Sequence, residues 1–395
     1  MSLSRLKRGF EEILPEDEFD ERMQDSCRIK LGVDPTGSEL HLGHAVIFNK
    51  LRQFQDAGHT VVFLVGDFTA QIGDPSGRDE TRPPLSAEEV EEHAETYTDQ
   101  AFEILDEDRA EVVWNSEWLN DLGTEGIMDL ASRMTVARML ERDDFSKRYE
   151  QNKSIRLHEF LYPLLQGYDS VEIEADLELG GTDQKFNLLV GRRLQKEMTD
   201  QPPQLIGTLP LLVGLDGSKK MSKSYDNHIP LEASPRDMFG KLMSIPDHLV
   251  PNYAKLLTDL PEDYLSELEA GGDNLEDPKK HKKKVASAIV ERLKGNTEAE
   301  DARDYFERTI EEDQAPGEDE METVVIDDGD DVWVVDLLDQ SGMVESRGEA
   351  KRLLNQGGVY FDGEQLEGLD HDFDITEAHV LQVGQHRYRR LVPGD

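Results

Sequence analysis

The chain has 395 residues, 37% of them hydrophobic, which is enough for a sizeable core and predicts about two or three domains. It contains no apolar run long enough to span a bilayer, and residues 1–27 lack the apolar stretch of a signal peptide, so we expect no membrane association. The single cysteine, Cys27, excludes an internal disulfide and predicts a cytoplasmic location.

The charge balance is strongly acidic. The sequence has 43 basic and 85 acidic residues, a formal net charge of −42. Self-repulsion on this scale weakens compaction at low ionic strength and opposes binding to polyanions. We expect adaptation to a salty cytoplasm, where screening shortens the reach of each charge; a merely acidic protein is the alternative.

The first third of the chain predicts a strand, a helix and a second strand. Residues 28–33 are typical of a short buried strand that ends in the turn 34–37. Residues 42–57 carry apolar side chains at helical spacing, and Gly58 is a stop signal. The apolar run 60–66 is typical of a strand buried on both faces. Together they predict a right-handed parallel crossover.

Two later segments extend this α/β pattern. Ser86-Ala87-Glu88-Glu89 is a capping box that predicts the start of another helix. Residues 176–181 predict a strand and a tight turn, followed by a helix from about Asp183. The core is therefore predicted to be a doubly wound parallel sheet, with sites at the carboxyl ends of its strands.

The pattern changes twice in the second half. From residue 229 to 293 it predicts helices without strands, and an acid-rich stretch with Pro316 and Gly317 follows. The tail alternates a short helix pattern with strand-like pieces. The predicted organisation is a Rossmann-like α/β domain (1–228), an all-α domain (229–315), an acidic linker (316–331) and a small α+β domain (332–395).

Two short motifs carry most of the chemistry. His41-Leu42-Gly43-His44 places imidazoles at a strand-to-helix turn, where backbone N–H groups and the helix dipole can receive phosphate. Lys220-Met221-Ser222-Lys223-Ser224 offers two ammonium groups suited to a pyrophosphate leaving group. A lone histidine or a lysine pair in a loop is normally structural or solvated. The two motifs together predict a nucleoside triphosphate site.

These motifs resemble those of the class I aminoacyl-tRNA synthetases, and the segments between them look like the tyrosyl-tRNA synthetases. The similar segments are 32–36, 72–77, 162–169 and 181–187. The resemblance covers nearly the whole chain, and the tail is similar to the RNA-binding module of bacterial members. It implies a catalytic domain that activates L-tyrosine with ATP, releases pyrophosphate, and transfers tyrosine to the 3′-terminal adenosine of tRNA(Tyr).

Such phosphorus chemistry requires alignment and charge stabilisation more than proton transfer. The resemblance implies catalytic roles for His41, His44, Lys220, Lys223, Arg78 and Arg82, the two arginines lying in a loop that is equally typical of a plain surface. It implies ATP or adenylate contacts for Gly32, Asp34, Thr36, Gly43, Asp183, Gln184, Met221, Ser222 and Ser224. Gly43 is expected to leave space for the nucleotide to approach the backbone.

The resemblance also assigns the tyrosine site. Asp74, Tyr162 and Gln166 are expected to hold the substrate ammonium, and Asp169 to accept a hydrogen bond from the phenol. The spacing of Tyr162, Gln166 and Asp169 places them on one helix face, which is also compatible with an ordinary amphipathic helix. At position 30 many members have a tyrosine that contacts the phenol, whereas this chain has Lys30. Either Lys30 points elsewhere or another residue contributes.

Positive charge is concentrated in residues 279–284 and in the tail. The first run is either a solvated helix start or an RNA-phosphate contact of a helical anticodon-binding domain. The tail resembles a ribosomal-protein-type module that grips structured RNA. The expected tRNA contacts are Lys279, Lys280, Lys282, Arg347, Lys351 and Arg352.

The expected partners are L-tyrosine, ATP, tRNA(Tyr) and, by analogy with the family, a second copy of the chain. Residues 130–140 could supply an apolar dimer face or a core helix. We expect Mg²⁺ to enter with ATP, no protein metal site and no tightly bound cofactor. The alternatives are a tryptophanyl-type synthetase, a nucleotidyltransferase with only the first motif, and a non-catalytic RNA-binding relative.

Overall fold

The computed structural model describes residues 2–37, 39–74, 86–272, 275–326, 331–344 and 346–394. The chain divides into two compact units, Met1–Asn296 and Thr297–Asp395. Among the described residues, no helix is both long and apolar enough to cross a membrane.

The elements of the first unit alternate between strands and helices through residue 209 and are helical afterwards. The strands are β1 (Glu12–Leu14), β2 (Arg28–Val33), β3 (Thr60–Val65), β4 (Ala110–Trp114), β5 (Leu177–Gly181) and β6 (Leu205–Leu209). The helices are α1 (Leu3–Lys7), α2 (Phe19–Arg22), α3 (Leu42–Asp56), α4 (Asp67–Ala70), α5 (Ala87–Phe102), α6 (Ser116–Leu119), α7 (Gly123–Ser132), α8 (Val136–Met139), α9 (Asp143–Glu150), α10 (Tyr162–Glu172), α11 (Lys185–Met198), α12 (Pro235–Met243), α13 (Val250–Leu257), α14 (Glu262–Gly271) and α15 (Pro278–Lys294).

The six strands form one sheet in the order β1-β6-β5-β2-β3-β4. Strands β2 to β6 pair in parallel, and β1 joins the edge antiparallel to β6. Strands β3 and β4 lie on one side of β2, in chain order. Strands β5 and β6, which come later in the chain, lie on its other side. The predicted doubly wound parallel sheet is confirmed. Its strand order reverses between β2 and β5, which is where ligands bind in such sheets.

The predicted parallel crossover is confirmed, since β2 and β3 pair in parallel and α3 connects them. Its right-handedness stays a prediction. Residues 61–65 of β3 are at most 2% exposed, as expected for a strand covered on two faces. Helix α3 buries Phe48, Leu51 and Phe54 and ends next to Gly58, whose φ is +95°. The capping box of α5 is confirmed as well, since Ser86 and Glu89 exchange the two capping hydrogen bonds.

The contact between β2 and β5 is short. Its register pairs Ile29 with Leu177 and Lys30 with Glu178. Beyond these pairs, residues 31–33 and 179–181 line an open cavity. The carboxyl halves of the two central strands therefore provide the walls of a site.

The remaining elements are α16 (Asn296–Phe306), β7 (Thr323–Ile326), β8 (Val332–Trp333), α17 (Val334–Gln340), α18 (Arg347–Asn355), β9 (Val359–Phe361), β10 (Glu364–Gln365), β11 (Asp372–Phe373), β12 (His379–Val383) and β13 (Arg387–Pro393). The second unit has a five-stranded sheet of order β10-β9-β12-β13-β7, with a core that joins it to α17 and α18. The predicted α+β tail is confirmed.

Part of the predicted acidic linker is wrong. Within 316–331, residues 323–326 form β7, which pairs in parallel with β13. The sequence Thr-Val-Val-Ile is rich in β-branched residues, which favour a strand. Ile326 is fully buried in the core of the second unit, so this burial outweighs the acidic character of the surrounding sequence.

Candidate active site

A cavity of about 320 Å³ lies at the carboxyl ends of β2 and β5. It thus occupies the reversal point of the sheet, where the site was predicted. Its walls include most of the residues expected to contact tyrosine and the adenylate: Gly32, Asp34, Thr36, Gly43, Asp74, Tyr162, Gln166, Asp169, Asp183 and Gln184.

A second cleft of about 700 Å³ adjoins this cavity. It is lined by both motifs, including His41, His44, Lys220, Met221, Ser222, Lys223 and Ser224. The two spaces share Asp34, Thr36, Gly43, His44, Tyr97 and Leu211. The structure therefore brings the imidazoles and the ammonium groups to one cleft that is continuous with the cavity.

The two imidazoles are fixed by backbone hydrogen bonds at the start of α3. The N–H of Gly43 donates to Nδ1 of His41 (3.2 Å), and the N–H of His41 donates to Nδ1 of His44 (3.2 Å). Because both Nδ1 atoms accept, each neutral ring carries its proton on Nε2. Burial lowers the pKa of His41 to about 2 and the pKa of His44 to about 4. Both rings are therefore neutral hydrogen-bond donors at neutral pH.

Gly43 has a structural role that the sequence did not indicate. A Cβ at this position would lie 2.9 Å from Cε1 and Nδ1 of the His41 ring. A side chain at position 43 would therefore push the capping imidazole out of place. Access for a nucleotide at Gly43 stays a prediction.

Each lysine of the second motif faces a carboxylate. The Lys220 Nζ atom lies 3.6 Å from Asp183 Oδ2, and Lys223 forms an ion pair with Glu39. The Glu39 carboxylate also lies 3.9 Å from Nε2 of His228, and its pKa is lowered chiefly by the hydrogen bond from Lys223. The cleft thus balances its cations with carboxylates.

Backbone hydrogen bonds hold the lysine loop in place. The N–H of Met221 donates to the carbonyl of Leu212 (2.7 Å), and the N–H of Ser222 donates to Oδ1 of Asn227 (2.8 Å). Asn227 in turn donates to Asp216 (2.7 Å), which lies in the turn before the motif. The loop position is therefore set by residues outside the motif.

Asp169 lies buried at the wall of the cavity. Its carboxylate accepts hydrogen bonds from Trp118 Nε1 (2.8 Å) and Asn115 Nδ2 (3.2 Å). Burial raises the pKa of Asp169 to about 7, while the Lys30 charge and the two donors act in the opposite direction. Asp169 is therefore poised to accept one further donor from the cavity.

A second, half-buried carboxylate, Asp34, faces the same cavity. It accepts hydrogen bonds from Thr69 Oγ1 (2.7 Å) and from the Tyr162 hydroxyl (2.9 Å). Burial raises the pKa of Asp34 to about 7, helped by the nearby Asp74 and Asp169. The position of Tyr162 beside Asp34 fixes its ring on the cavity wall.

The remaining predicted tyrosine contacts form a polar chain. Gln184 Nε2 donates to Asp74 Oδ2 (2.8 Å), and Asn187 Nδ2 donates to Gln166 Oε1 (2.8 Å). Arg142, which is 5% exposed, reaches both Asp74 (3.4 Å) and Asn187 (3.1 Å). Four carboxylates, those of Asp34, Asp74, Asp169 and Asp183, thus line one cavity, which favours a ligand that carries an ammonium group and a hydroxyl donor.

Lys30 points away from the cavity. Of the two alternatives for this position, that Lys30 points elsewhere or that another residue contributes, the structure agrees with the first. Its side chain is fully buried, and Nζ lies 2.8 Å from Glu178 Oε1. It also donates to Ser170 Oγ (2.7 Å) and to the carbonyl of Gln166 (3.0 Å). The ammonium is therefore behind the wall that carries Asp169.

Sequence reasoning missed several residues of this site: Glu39, Thr69, Asn115, Trp118 and Arg142. Asn115 follows the carboxyl end of β4, so the rule that sites gather at strand ends could have found it. Trp118 and Arg142 carried no sequence signal, because their contacts come only from the folding of distant segments.

Arg78 and Arg82 fall outside the described residues. Lys279, Lys280 and Lys282 lie at the start of α15, where Lys282 forms an ion pair with Asp247 (2.6 Å).

The predicted RNA contacts of the tail lie on α18 of the second unit. Arg347 pairs with Asp336 (3.0 Å), and Arg352 lies 3.5 Å from Glu349. The Lys351 ammonium lies 5.2 Å from the centre of the Trp333 ring. The positive charges of this helix are thus largely balanced within the second unit.

The described part of the chain shows no group of three or more His, Cys, Asp or Glu side chains arranged to hold a metal ion. The carboxylates of the site are instead engaged by protein donors.

Comparisons with known proteins agree with this geometry. The profile of the family described as tRNA synthetases class I (W and Y) matches residues 22–311. A tyrosine–tRNA ligase of Thermotoga maritima is 48% identical over 393 residues, covering 99% of this chain and 97% of the relative. A tyrosine–tRNA ligase of Salinibacter ruber is 46% identical over 396 residues, covering 98% and 95%.

Solved structures share the fold. A C-terminally truncated mitochondrial tyrosyl-tRNA synthetase of Aspergillus nidulans matches with a TM-score of 0.64 at 22% identity, covering 78% of this chain and 93% of that one. A tyrosyl-tRNA synthetase of Archaeoglobus fulgidus, complexed with L-tyrosine, matches with a TM-score of 0.60 at 24% identity, covering 76% and 98%. The family profile matches residues 22–311, which is most of the chain. The chain therefore belongs to the family of class I tRNA synthetases for tryptophan and tyrosine.

Proposed function

We propose that this chain is a tyrosine–tRNA ligase. It joins L-tyrosine to ATP as tyrosyl-adenylate with release of pyrophosphate, and transfers the tyrosyl group to the 3′-terminal adenosine of tRNA(Tyr). The observation that carries the proposal is the buried Asp169 acceptor in a cavity that opens into the cleft of both motifs. The full-length similarity to tyrosine–tRNA ligases supports the same activity.

The first step uses the two spaces at once. Tyrosine occupies the cavity with its carboxylate directed at the shared residues Thr36, Gly43 and His44, next to the α-phosphate. In-line attack expels pyrophosphate, so the barrier depends on alignment and on stabilising the leaving charge. ATP brings Mg²⁺ with it as part of the substrate.

Donors for the leaving group come from both motifs. The neutral His41 and His44 rings supply Nε2–H groups, and Lys220 and Lys223 supply ammonium groups on the facing loop. Fixed donors stabilise developing charge without reorganising at the moment of reaction. The ion pairs with Asp183 and Glu39 hold the two lysines until phosphate oxygens replace those carboxylates.

Tyrosine selection rests on the cavity carboxylates. The ammonium group is placed near Asp74, Gln166 and Tyr162, and the phenol donates its hydrogen to Asp169. Phenylalanine would leave the buried Asp169 without this donor, which costs binding energy. Tyrosyl-tRNA synthetases are themselves the established example of such rejection, by about 10⁵-fold, and that known value is the benchmark for this chain.

The activation step is tested by amino-acid-dependent exchange of labelled pyrophosphate into ATP. Tyrosine should support exchange efficiently, whereas tryptophan and phenylalanine should support it only with a far lower kcat/KM. Asp169→Asn should lower kcat/KM for tyrosine far more than for phenylalanine, because only tyrosine uses this acceptor. Exchange with tryptophan in preference to tyrosine would overturn the assignment.

For the transfer step we propose that the second unit and the start of α15 contact tRNA. Deleting residues 332–395 would remove β13 and leave β7 without its partner strand, so a cut after Gln314 is the cleaner variant. The truncated enzyme should keep tyrosine-dependent exchange and lose tRNA charging. If the truncated enzyme charged tRNA as well as the full chain does, the second unit would not contribute to tRNA binding.

We also propose that the chain works in the cytoplasm as a homodimer. Large apolar side chains are exposed between residues 128 and 157: Met128 (65%), Val136 (61%), Tyr149 (65%) and Leu157 (83%). The predicted stretch 130–140 is split between α7 and α8, with Leu130 and Met139 buried in the core. Light scattering should give twice the chain mass, and Leu157→Glu should shift it towards the monomer.

A further inference from the structure

The tyrosine pocket is backed by a buried polar network around Lys30. Lys30, Ser170, Glu178 and Gln204 are each at most 1% exposed. Lys30 Nζ contacts Glu178 (2.8 Å) and Ser170 (2.7 Å), and Ser170 Oγ donates to Glu178 Oε2 (3.0 Å). Such a network is costly unless every member is paired, so its position calls for a physical reason.

The network touches the helix that carries Asp169 on both sides of that residue. Lys30 donates to the carbonyl of Gln166, three residues before Asp169, and to the hydroxyl of Ser170, the residue after it. On the sheet, Lys30 and Glu178 are the final pair in the register of β2 and β5. The ammonium is therefore fixed to both the sheet and α10.

We propose that Lys30 is a specificity-determining positioning residue, whose buried ammonium keeps Asp169 in place and charged as the acceptor of the substrate hydroxyl. This inference rests on the proposed function, which supplies the hydroxyl donor. Lys30 acts through Asp169 and does not touch the substrate. It would replace a direct phenol contact at position 30 with an electrostatic one.

The charges around Asp169 support this role. Burial raises the pKa of Asp169, and the Lys30 charge is the strongest opposing influence. Hydrogen bonds from Trp118 and Asn115 act in the same direction as Lys30, while Glu178 acts against it.

Asp34 and Tyr162 are titratable groups that also interact with Asp169 across the cavity. Substitutions at Lys30 and Glu178 leave the direct contacts of both unchanged.

The test is the pH dependence of the ratio of kcat/KM for tyrosine to kcat/KM for phenylalanine in pyrophosphate exchange, from pH 6 to 8.5. The ratio isolates the hydroxyl acceptor, because both amino acids share the ammonium site and experience Asp34 alike. Wild type, Lys30→Met/Glu178→Gln and Glu178→Gln are compared.

The two variants should shift the midpoint of this ratio in opposite directions. Removing the ammonium together with its partner should raise the midpoint by about one pH unit, which corresponds to a ratio about tenfold lower at pH values below the midpoint. Glu178→Gln leaves the ammonium without its counter-charge and should lower the midpoint. A loosened core would not produce shifts of opposite sign.

A matched control is the buried ion pair of Arg148 and Glu159, which are 2.5 Å apart and belong to α9 and the segment before α10. Arg148→Met/Glu159→Gln should lower the melting temperature and leave the midpoint unchanged.

A common midpoint in wild type and both variants, or shifts in the same direction, would overturn the inference. If the double variant does not fold, Lys30→Gln/Glu178→Gln takes its place: a raised midpoint supports the role and any other result refutes it. Absence of tyrosine-dependent exchange in the wild type would instead refute the proposed function.

Discussion

Lys223 of the second motif forms an ion pair with Glu39, a residue between the end of β2 and the start of α3. Glu39 therefore occupies the place of an anion at the cleft before any nucleotide arrives. Bound phosphate must displace this carboxylate from the lysine, and this competition is open to experiment.

Glu39→Gln should lower the KM for ATP in pyrophosphate exchange. The substitution frees Lys223 and removes a negative charge from the cleft. The gain should be up to about fivefold, since an exposed ion pair is worth about 1 kcal/mol or less. Glu39→Asp keeps the charge and serves as the control. A raised KM for Glu39→Gln would mean that Glu39 assists nucleotide binding.

His41→Asn should separate the two roles of the N-terminal residue of α3. An asparagine oxygen can still cap the helix, but it lacks the Nε2–H donor, so kcat for adenylate formation should fall by about 10²–10³-fold. His41→Ala loses the cap as well and should be less stable by about 1 kcal/mol. Stopped-flow activation and urea unfolding measure the two effects. Equal activity of His41→Asn and wild type would exclude a donor role.

Lys50→Met tests a buried amine beneath the amino-terminal segment. Lys50 Nζ donates to the carbonyls of Leu6 (3.0 Å) and Arg8 (2.6 Å), and burial lowers its pKa from 10.5 to about 7. Between these two values the unfolded chain binds a proton that the folded chain does not, so the contribution of Lys50 to stability rises with pH across this range.

The free energy of unfolding of wild type relative to Lys50→Met should therefore increase from pH 7 to pH 9, by up to about 2 kcal/mol. Urea unfolding at the two pH values gives the difference. The exposed Lys196→Met should show no such trend. A constant difference between wild type and Lys50→Met would mean that Lys50 stays charged in the fold.

Salt should stabilise this protein. With a net charge of −42, repulsion weakens the folded state in dilute buffer, and about 1 M KCl shortens the screening length to about 3 Å. The melting temperature should rise between dilute buffer and molar KCl. Sucrose at equal osmolality controls for solute exclusion, and a melting temperature that does not rise with KCl would remove the salt-adapted interpretation.

The parts of the fold that could be predicted are the segments whose apolar residues recur at the regular spacing of a helix or strand. Strands β2 and β3 and helix α3 were found because their buried faces repeat in sequence. Strand β1 was missed because it has three residues, and β7 because it lies among acids.

The site divides in the same way. His41, His44, Lys220 and Lys223 stand in contiguous motifs, so their meeting at one cleft could be predicted. The donors to Asp169 could not, because Asn115 and Trp118 reach it only after β4 and α10 have come together. The structural role of Gly43 could not be predicted either. The His41 ring lies against Gly43 only when it caps the folded helix α3, and no sequence pattern indicates that contact.

The cavity and the cleft have six residues in common, so they form one continuous space with a shared middle section. A mixed anhydride made there would span both compartments. Its half-life on the protein should then depend on how tightly the shared middle section packs around it. Retention of the activated amino acid is therefore determined by the shape of this space as well as by the catalytic side chains.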